Sequence, residues 1–175
     1  FAVIFAATLC GCANDVSSSV QQAESSSRSS TKWTVTEVAD DDISCEGLVL
    51  TALNAGNFPE MVKATDSTLL DTIMDFSKYG ITDYCVYQQA ISVELSEVIA
   101  VRAVDTDGVY DALQSRKESL IKQFGTYPEQ AKNAEQTAVF KKGDLCFLIA
   151  SEEPDKAEKA ISDKIKANSD VLSVS

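Results

Sequence analysis

The residues of this sequence best equipped for covalent chemistry are three thiols, Cys45, Cys85 and Cys146. A thiol becomes a nucleophile where positive, partly exposed surroundings stabilise its thiolate. Cys85 stands in YCVY and Cys146 in LCFL, apolar runs that read as core. Cys45 opens a helix beside acidic residues, which raise a thiol pKa. All three are therefore expected to be structural, as buried free cysteines usually are. Histidine is absent from the whole chain. That removes Ser-His-Asp and Cys-His catalysis and every histidine metal site. No C-x-x-C pair occurs, and the cysteine spacings fit no zinc module. A Ser-Lys nucleophile would need Ser-x-x-Lys at the start of an apolar helix. The run Ser162 to Ile165 (SDKI) fails that spacing. No catalytic residue, metal site or cofactor is expected.

Two acidic runs invite a cation. Asp105-Thr106-Asp107-Gly108 with Asp111 has a superficial calcium-loop look, but an EF-hand needs a further ligand before the glycine and a glutamate beyond it. Both are missing, and helix capping accounts for the aspartates. Asp40-Asp41-Asp42 reads likewise as a cap with a favourable charge for the helix dipole. Carboxylate pairs for glycoside cleavage depend on which acids face one another, and sequence does not say. For recognition, the candidate surface is Tyr127-Pro128-Glu129-Gln130, in a break between helices, with Tyr127, Pro128 and Gln130 the residues of interest. A plain structural turn explains the same residues. Trp33-Thr34-Val35-Thr36 alternates like an edge strand docking its tryptophan.

The elements that must position these groups follow from period and punctuation. Asp41 or Asp42 caps a helix from Ile43 to Ala55, stopped by Gly56. Phe58 to Ala64 is a short extended piece. Asp66 caps a helix with Leu69, Ile73 and Phe76 on one face, ended by Gly80. Tyr84 to Ile91 is a strand, and Val98 to Val104, apolar on both faces, a central one. Asp105 or Asp107 caps a long helix carrying Val109, Leu113, Leu120, Ile121 and Phe124. Pro128 suits the first turn of a short helix. Thr137 to Phe140 and Leu145 to Ala150 form a hairpin across Lys141-Lys142-Gly143-Asp144. A last helix runs from Pro154 to about Ala167, presenting Ala157, Ala160, Ile161 and Ile165. The expectation is one α+β domain over 33–175, an antiparallel-rich sheet of about four to five strands with helices on one face.

The opening segment concerns address. Phe1 to Leu9 (FAVIFAATL) is apolar and uncharged, about half the length that crosses a bilayer. It reads as the apolar core of a secretion signal over 1–11, with the start of the signal missing. Leu9-Cys10-Gly11-Cys12 resembles the lipobox of bacterial lipoproteins. The resemblance implies cleavage after Gly11 and a diacylglyceryl group on the Cys12 thiol. Two acyl chains, at about 0.8 kcal/mol per buried methylene, anchor stably where one is marginal. Residues 12–32 then form a lipidated cysteine and a Ser-rich tether whose composition cannot offset its ordering entropy. About 20 such residues span on the order of 25 Å as a coil and about 70 Å fully extended. After loss of Cys10 and acylation of Cys12, an odd number of thiols remains.

The net charge of −12 argues against nucleic acid, which selects clustered Lys and Arg. It argues equally against adsorption to anionic lipid, so the lipid on Cys12 is the membrane contact. Tyr79-Gly80-Ile81, the strand pair through Val104, Tyr127-Pro128-Glu129-Gln130 and the closing hairpin resemble a family of small Gram-positive lipoproteins that share a domain of unknown function. The likeness covers about Cys45 to Ala160. It implies fold and location, a lipid-anchored protein on the extracytoplasmic face of the cell membrane, and no particular chemistry. Two functional expectations stand: a binding or accessory module for a protein, peptide or cell-wall ligand, and a histidine-free surface enzyme using carboxylates or a thiol.

Overall fold

The computed structural model describes residues 32–39, 42–91 and 94–173. The signal segment with Gly11 and Cys12, the Ser-rich tether up to 31, and Asp40 and Asp41 lie outside them. The described chain centres on a sheet of five strands: β1 (Met61–Lys63), β2 (Ile81–Gln89), β3 (Glu97–Ala103), β4 (Ala138–Lys142) and β5 (Leu145–Ala150). Their order is β1-β2-β3-β5-β4, every neighbouring pair antiparallel. β3 carries the apolar run VIAV and β5 is apolar throughout (LCFLIA), and such runs belong in the middle of a sheet covered on both sides. All six residues of β5 are buried. The outer strands are short, and β4 ends on Lys141 and Lys142, charges that suit an edge. β4 and β5 join through Gly143 and Asp144, with Lys142 opposite Leu145. Gly143 has φ +61°, as the first position of a type II′ hairpin turn requires.

The helices are α1 (Cys45–Ala55), α2 (Ser67–Asp71), α3 (Thr106–Phe124), α4 (Pro128–Glu135) and α5 (Pro154–Ser173). The α+β class and the antiparallel sheet are those read from sequence, but the helices lie on both faces instead of one. Side chains alternate across a strand, so β3 and β5 present two apolar faces. Val98, Ala100, Phe147 and Ile149 join Leu48, Val49 and Leu53 of α1 and Ala157 and Ile161 of α5. Ile99, Val101, Cys146 and Leu148 join Val109, Leu113 and Leu120 of α3 and Ala134 of α4. One helical layer could not cover both.

Local chemistry moves several boundaries. α1 starts at Cys45 because Ser44 is its cap, Oγ accepting from Gly47 N at 3.1 Å. Asp83 of β2 adds a second acceptor, taking Cys45 N at 2.8 Å. Asp42 turns the chain just before, accepting from Ser44 N at 2.9 Å. The Ser44 hydrogen bonds hold its carboxyl below the usual range. α2 stops at Asp71, well short of Gly80. Asp75 accepts from Ser77 N and Oγ, a side-chain turn that competes with helix, and Phe76 packs on Tyr84 at 4.5 Å. Tyr79 and Gly80 then adopt φ +67° and +62°. Residues 33–36 form no strand. Only Lys32 bridges to Pro59, while Trp33 meets Tyr87 edge-on at 5.7 Å and donates Nε1–H to Asn54 Oδ1 at 3.1 Å. α5 continues to Ser173, beyond the expected stop near Ala167. Among the described residues no helix is long and apolar enough to cross a membrane.

Candidate functional site

The three thiols are structural in their surroundings. Cys45, Cys85 and Cys146 are free and at most 1% exposed. Burial pushes each thiol up: Cys85 to about 12, Cys146 to about 11, and Cys45 further still with Asp83 beside it. Cys146 Sγ lies 3.3 Å from Thr106 O. Cys85 and Cys146 belong to opposite faces of the sheet. The acids at the start of α3 also have separate duties. Asp105 is the cap, its Oδ1 accepting from Gly108 N at 2.9 Å. Asp107 is ion-paired with Lys141, whose hydrogen bond holds the carboxyl below its ordinary value. The two carboxylates are turned to different partners.

The residues that gather elsewhere do so at one end of the sheet. Here α1 finishes, β3 begins, β5 runs into α5, and α4 crosses above. Between them lies a cleft of about 780 Å³ lined by Lys32, Asn57, Gln130, Lys132, Asn133 and Glu152, among others. A lobe of about 390 Å³ reaches Glu94, Leu95 and Ser96 and shares the Gln130 and Asn133 wall. α4 supplies that wall because Pro128 at its first position starts the helix without needing an N–H. Gln130 and Asn133 are then three residues apart on one face.

The amide oxygens of both residues meet donors. Gln130 Oε1 accepts from Leu95 N at 2.6 Å. Asn133 Oδ1 accepts from Gln136 Nε2 at 3.4 Å, and Gln136 Nε2 also reaches Ser151 O and Glu152 O at 2.6 and 2.8 Å. Gln136 thereby ties α4 to the β5–α5 turn. Across the cleft Asn57 Nδ2 donates to Glu152 Oε2 at 3.2 Å, and Lys156 pairs with Glu153 at 2.7 Å. Just behind the lobe, Glu97 is 2% exposed yet fully engaged. Arg116 of α3 donates Nε–H and Nη2–H to it at 3.0 and 2.7 Å, and Gln88 Nε2 approaches at 3.3 Å. Three hydrogen bonds to its two oxygens hold this buried carboxylate in place, and it braces the start of β3.

Of the sequence candidates, Gln130 lines the cleft. Pro128 sets the helix that carries it, and Tyr127, 59% exposed, stands outside at the helix cap. Asn133, Asn57, Lys32, Lys132 and Glu152 were not singled out from sequence. They come from four separate elements, and only the i, i+3 pair on α4 leaves a trace in the linear pattern. Among the described residues no group of three or more His, Cys, Asp or Glu is placed to hold a metal ion.

No curated protein and no solved structure matches the chain. The family described as a domain of unknown function (DUF4358) matches residues 54–151. That stretch is more than half of the chain and holds the whole sheet, α3, α4 and the Gln130–Asn133 wall. The chain belongs to the DUF4358 family.

Proposed function

We propose that this protein is a lipid-anchored, extracytoplasmic binding or accessory module of the small Gram-positive lipoprotein type, with the cleft under α4 as its ligand site. The observation that carries the reading is the contrast between thiols and cleft. The groups fit for catalysis are buried with raised pKa values. The cleft instead collects amides and charges suited to holding a polar ligand. A thiol enzyme would need an exposed thiol with a lowered pKa, the opposite of all three. Support for the anchor is the Leu9-Cys10-Gly11-Cys12 resemblance and the tether-like composition after it. A domain with net charge −12 has no electrostatic attraction to anionic lipid, which leaves the acyl chains as the attachment.

Two experiments test the reading. Detergent-phase partitioning should place the wild-type chain with membrane lipid and release Cys12→Ser into the aqueous phase. A serine variant that stays with membranes at high salt overturns the anchor. Cross-linking on intact membranes, with Gln130→Glu and Lys132→Gln as comparison, tests the cleft. A cross-linked set unchanged by both variants overturns its role.

A further inference from the structure

If the cleft is the binding site, its unsatisfied groups indicate the ligand. Asn133 is only 9% exposed. Its Oδ1 lies 3.4 Å from Gln136 Nε2, its Nδ2 has no acceptor among the described residues, and the residue lines the cleft. Gln130 is held by its oxygen, which accepts from Leu95 N, and its Nε2 has no acceptor among the described residues. These are two oriented neutral donors, side by side on α4. Both donors are open to the cleft, where water can accept from them, so an occupant that displaces this water must bring oxygen acceptors of its own. At the rim, among the described residues, Lys32 and Lys132 have no carboxylate partner and Glu94 and Glu129 no cationic one, whereas Lys156 and Glu153 satisfy each other. The free groups thus comprise donors with positive charge and, separately, free carboxylates. A phosphate group selects Arg forks and clustered cations, and the glutamates here would repel it. An apolar occupant would strand the amides.

We propose that the cleft binds short zwitterionic peptides or free amino acids. The ligand's carboxylate takes the N–H groups of Gln130 and Asn133 under the field of Lys32 and Lys132. Its ammonium faces Glu129 or Glu94. The main cleft, about 780 Å³, falls within the usual range of about 300–1,000 Å³ for ligand sites and has room for more than one residue.

Calorimetric titration of the full chain with Ala-Ala dipeptide, free alanine, and Ala-Ala acetylated and amidated at its ends tests this. The dipeptide should bind, and the doubly blocked form should bind about tenfold more weakly or worse. Gln130→Glu keeps an acceptor for Leu95 N but removes the donor, and should weaken the dipeptide by about tenfold or more. Lys132→Gln, on the exposed rim, carries no folding risk and should weaken it with a smaller salt dependence. Equal affinity for alanine and dipeptide assigns an amino-acid site, and tighter dipeptide binding a peptide site. Failure of both to bind, equal binding of the blocked form, or indifference to both variants overturns the ligand class. N-acetylglucosamine serves as a neutral amide probe. If it binds in a Gln130-dependent way and the dipeptide does not, the ligand class is wrong while the cleft remains a binding site.

Discussion

Replacing Arg116 by Met should be among the most damaging single changes in this domain. The Glu97 side chain is 3% exposed and that of Arg116 12%. Two bonds of 3.0 and 2.7 Å join them. The variant leaves a charged carboxylate inside the fold with only Gln88, at 3.3 Å, for company. Removing one partner of a buried ion pair costs about 3–5 kcal/mol, mostly the desolvation of the stranded charge. At about 2–4 °C per kcal/mol for domains of this size, the melting midpoint should fall by about 6–20 °C. Glu97→Leu with Arg116→Met removes both charges, and replacing a buried pair by apolar groups is often near neutral. The double variant should therefore recover most of the loss. Urea titrations of the two single variants and the double one give the coupling directly. A single-variant loss below about 1 kcal/mol, in the range of exposed pairs, would refute the reasoning. So would a double variant as unstable as the two single losses added together. Because Glu97 begins β3 next to Ser96 and Leu95 of the cleft lobe, hydrogen exchange at those two amides should quicken in Arg116→Met.

Thiol-specific labelling in native buffer should be slow at Cys45, Cys85 and Cys146 and become fast in denaturant, since all three are buried; rapid native labelling of any one contradicts its structural role. Alkaline pH should destabilise the fold through the same groups. Their folded pKa values are raised from 9.0, so the native state keeps protons the unfolded chain loses. This contribution is whole below about pH 9 and declines as pH rises towards 11 and 12, at about 1.4 kcal/mol per pH unit for each thiol; in Cys85→Ala the decline of stability from pH 9 to 11 should be visibly shallower. Asp105→Ala, which removes the cap of α3, should cost about 1 kcal/mol while Asp105→Asn costs little. Calcium should leave the melting midpoint of the wild type unchanged, whereas a site filled at 100 times its dissociation constant would add about 2.7 kcal/mol.

The parts legible from sequence were those fixed by local chemistry or by long apolar patterns. LCFLIA and VIAVRAV announce central strands, Asp66 and Asp105 announce caps, and Pro128 announces the start of α4. The same apolar runs also held the evidence for two helical layers, since a strand buried on both faces needs cover on both. The start of α1 differs from the sequence reading because Ser44, and not Asp41 or Asp42, caps it, while Asp42 turns the chain by accepting from Ser44 N. The further acceptor Asp83, 38 residues beyond Cys45, lies outside any local window. α2 is shorter than its apolar spacing suggests because Asp75 folds back on Ser77 within a stretch that still looks helical in sequence. Gln130 was reachable as part of a turn-like break. Its neighbours in the cleft were not, since Asn57, Asn133 and Glu152 become neighbours only after the sheet brings α1, α4 and the β5–α5 turn to one end.

Trp33 is the only tryptophan in the chain, which makes its docking an optical property of the molecule. Its indole is edge-on to Tyr87 and hydrogen-bonded to Asn54, while Asn54 also accepts from Thr36 N and donates to Thr36 O. Intrinsic fluorescence therefore reports from a single place, the strip of chain by which residues 32–39 lie along the folded body. Release of that strip should hydrate the indole and shift its emission to the red while the sheet stays intact. Lys32, next in the chain, lines the cleft. The emission of one native residue can thus follow both the docking of this strip and events in the cleft, with no label attached.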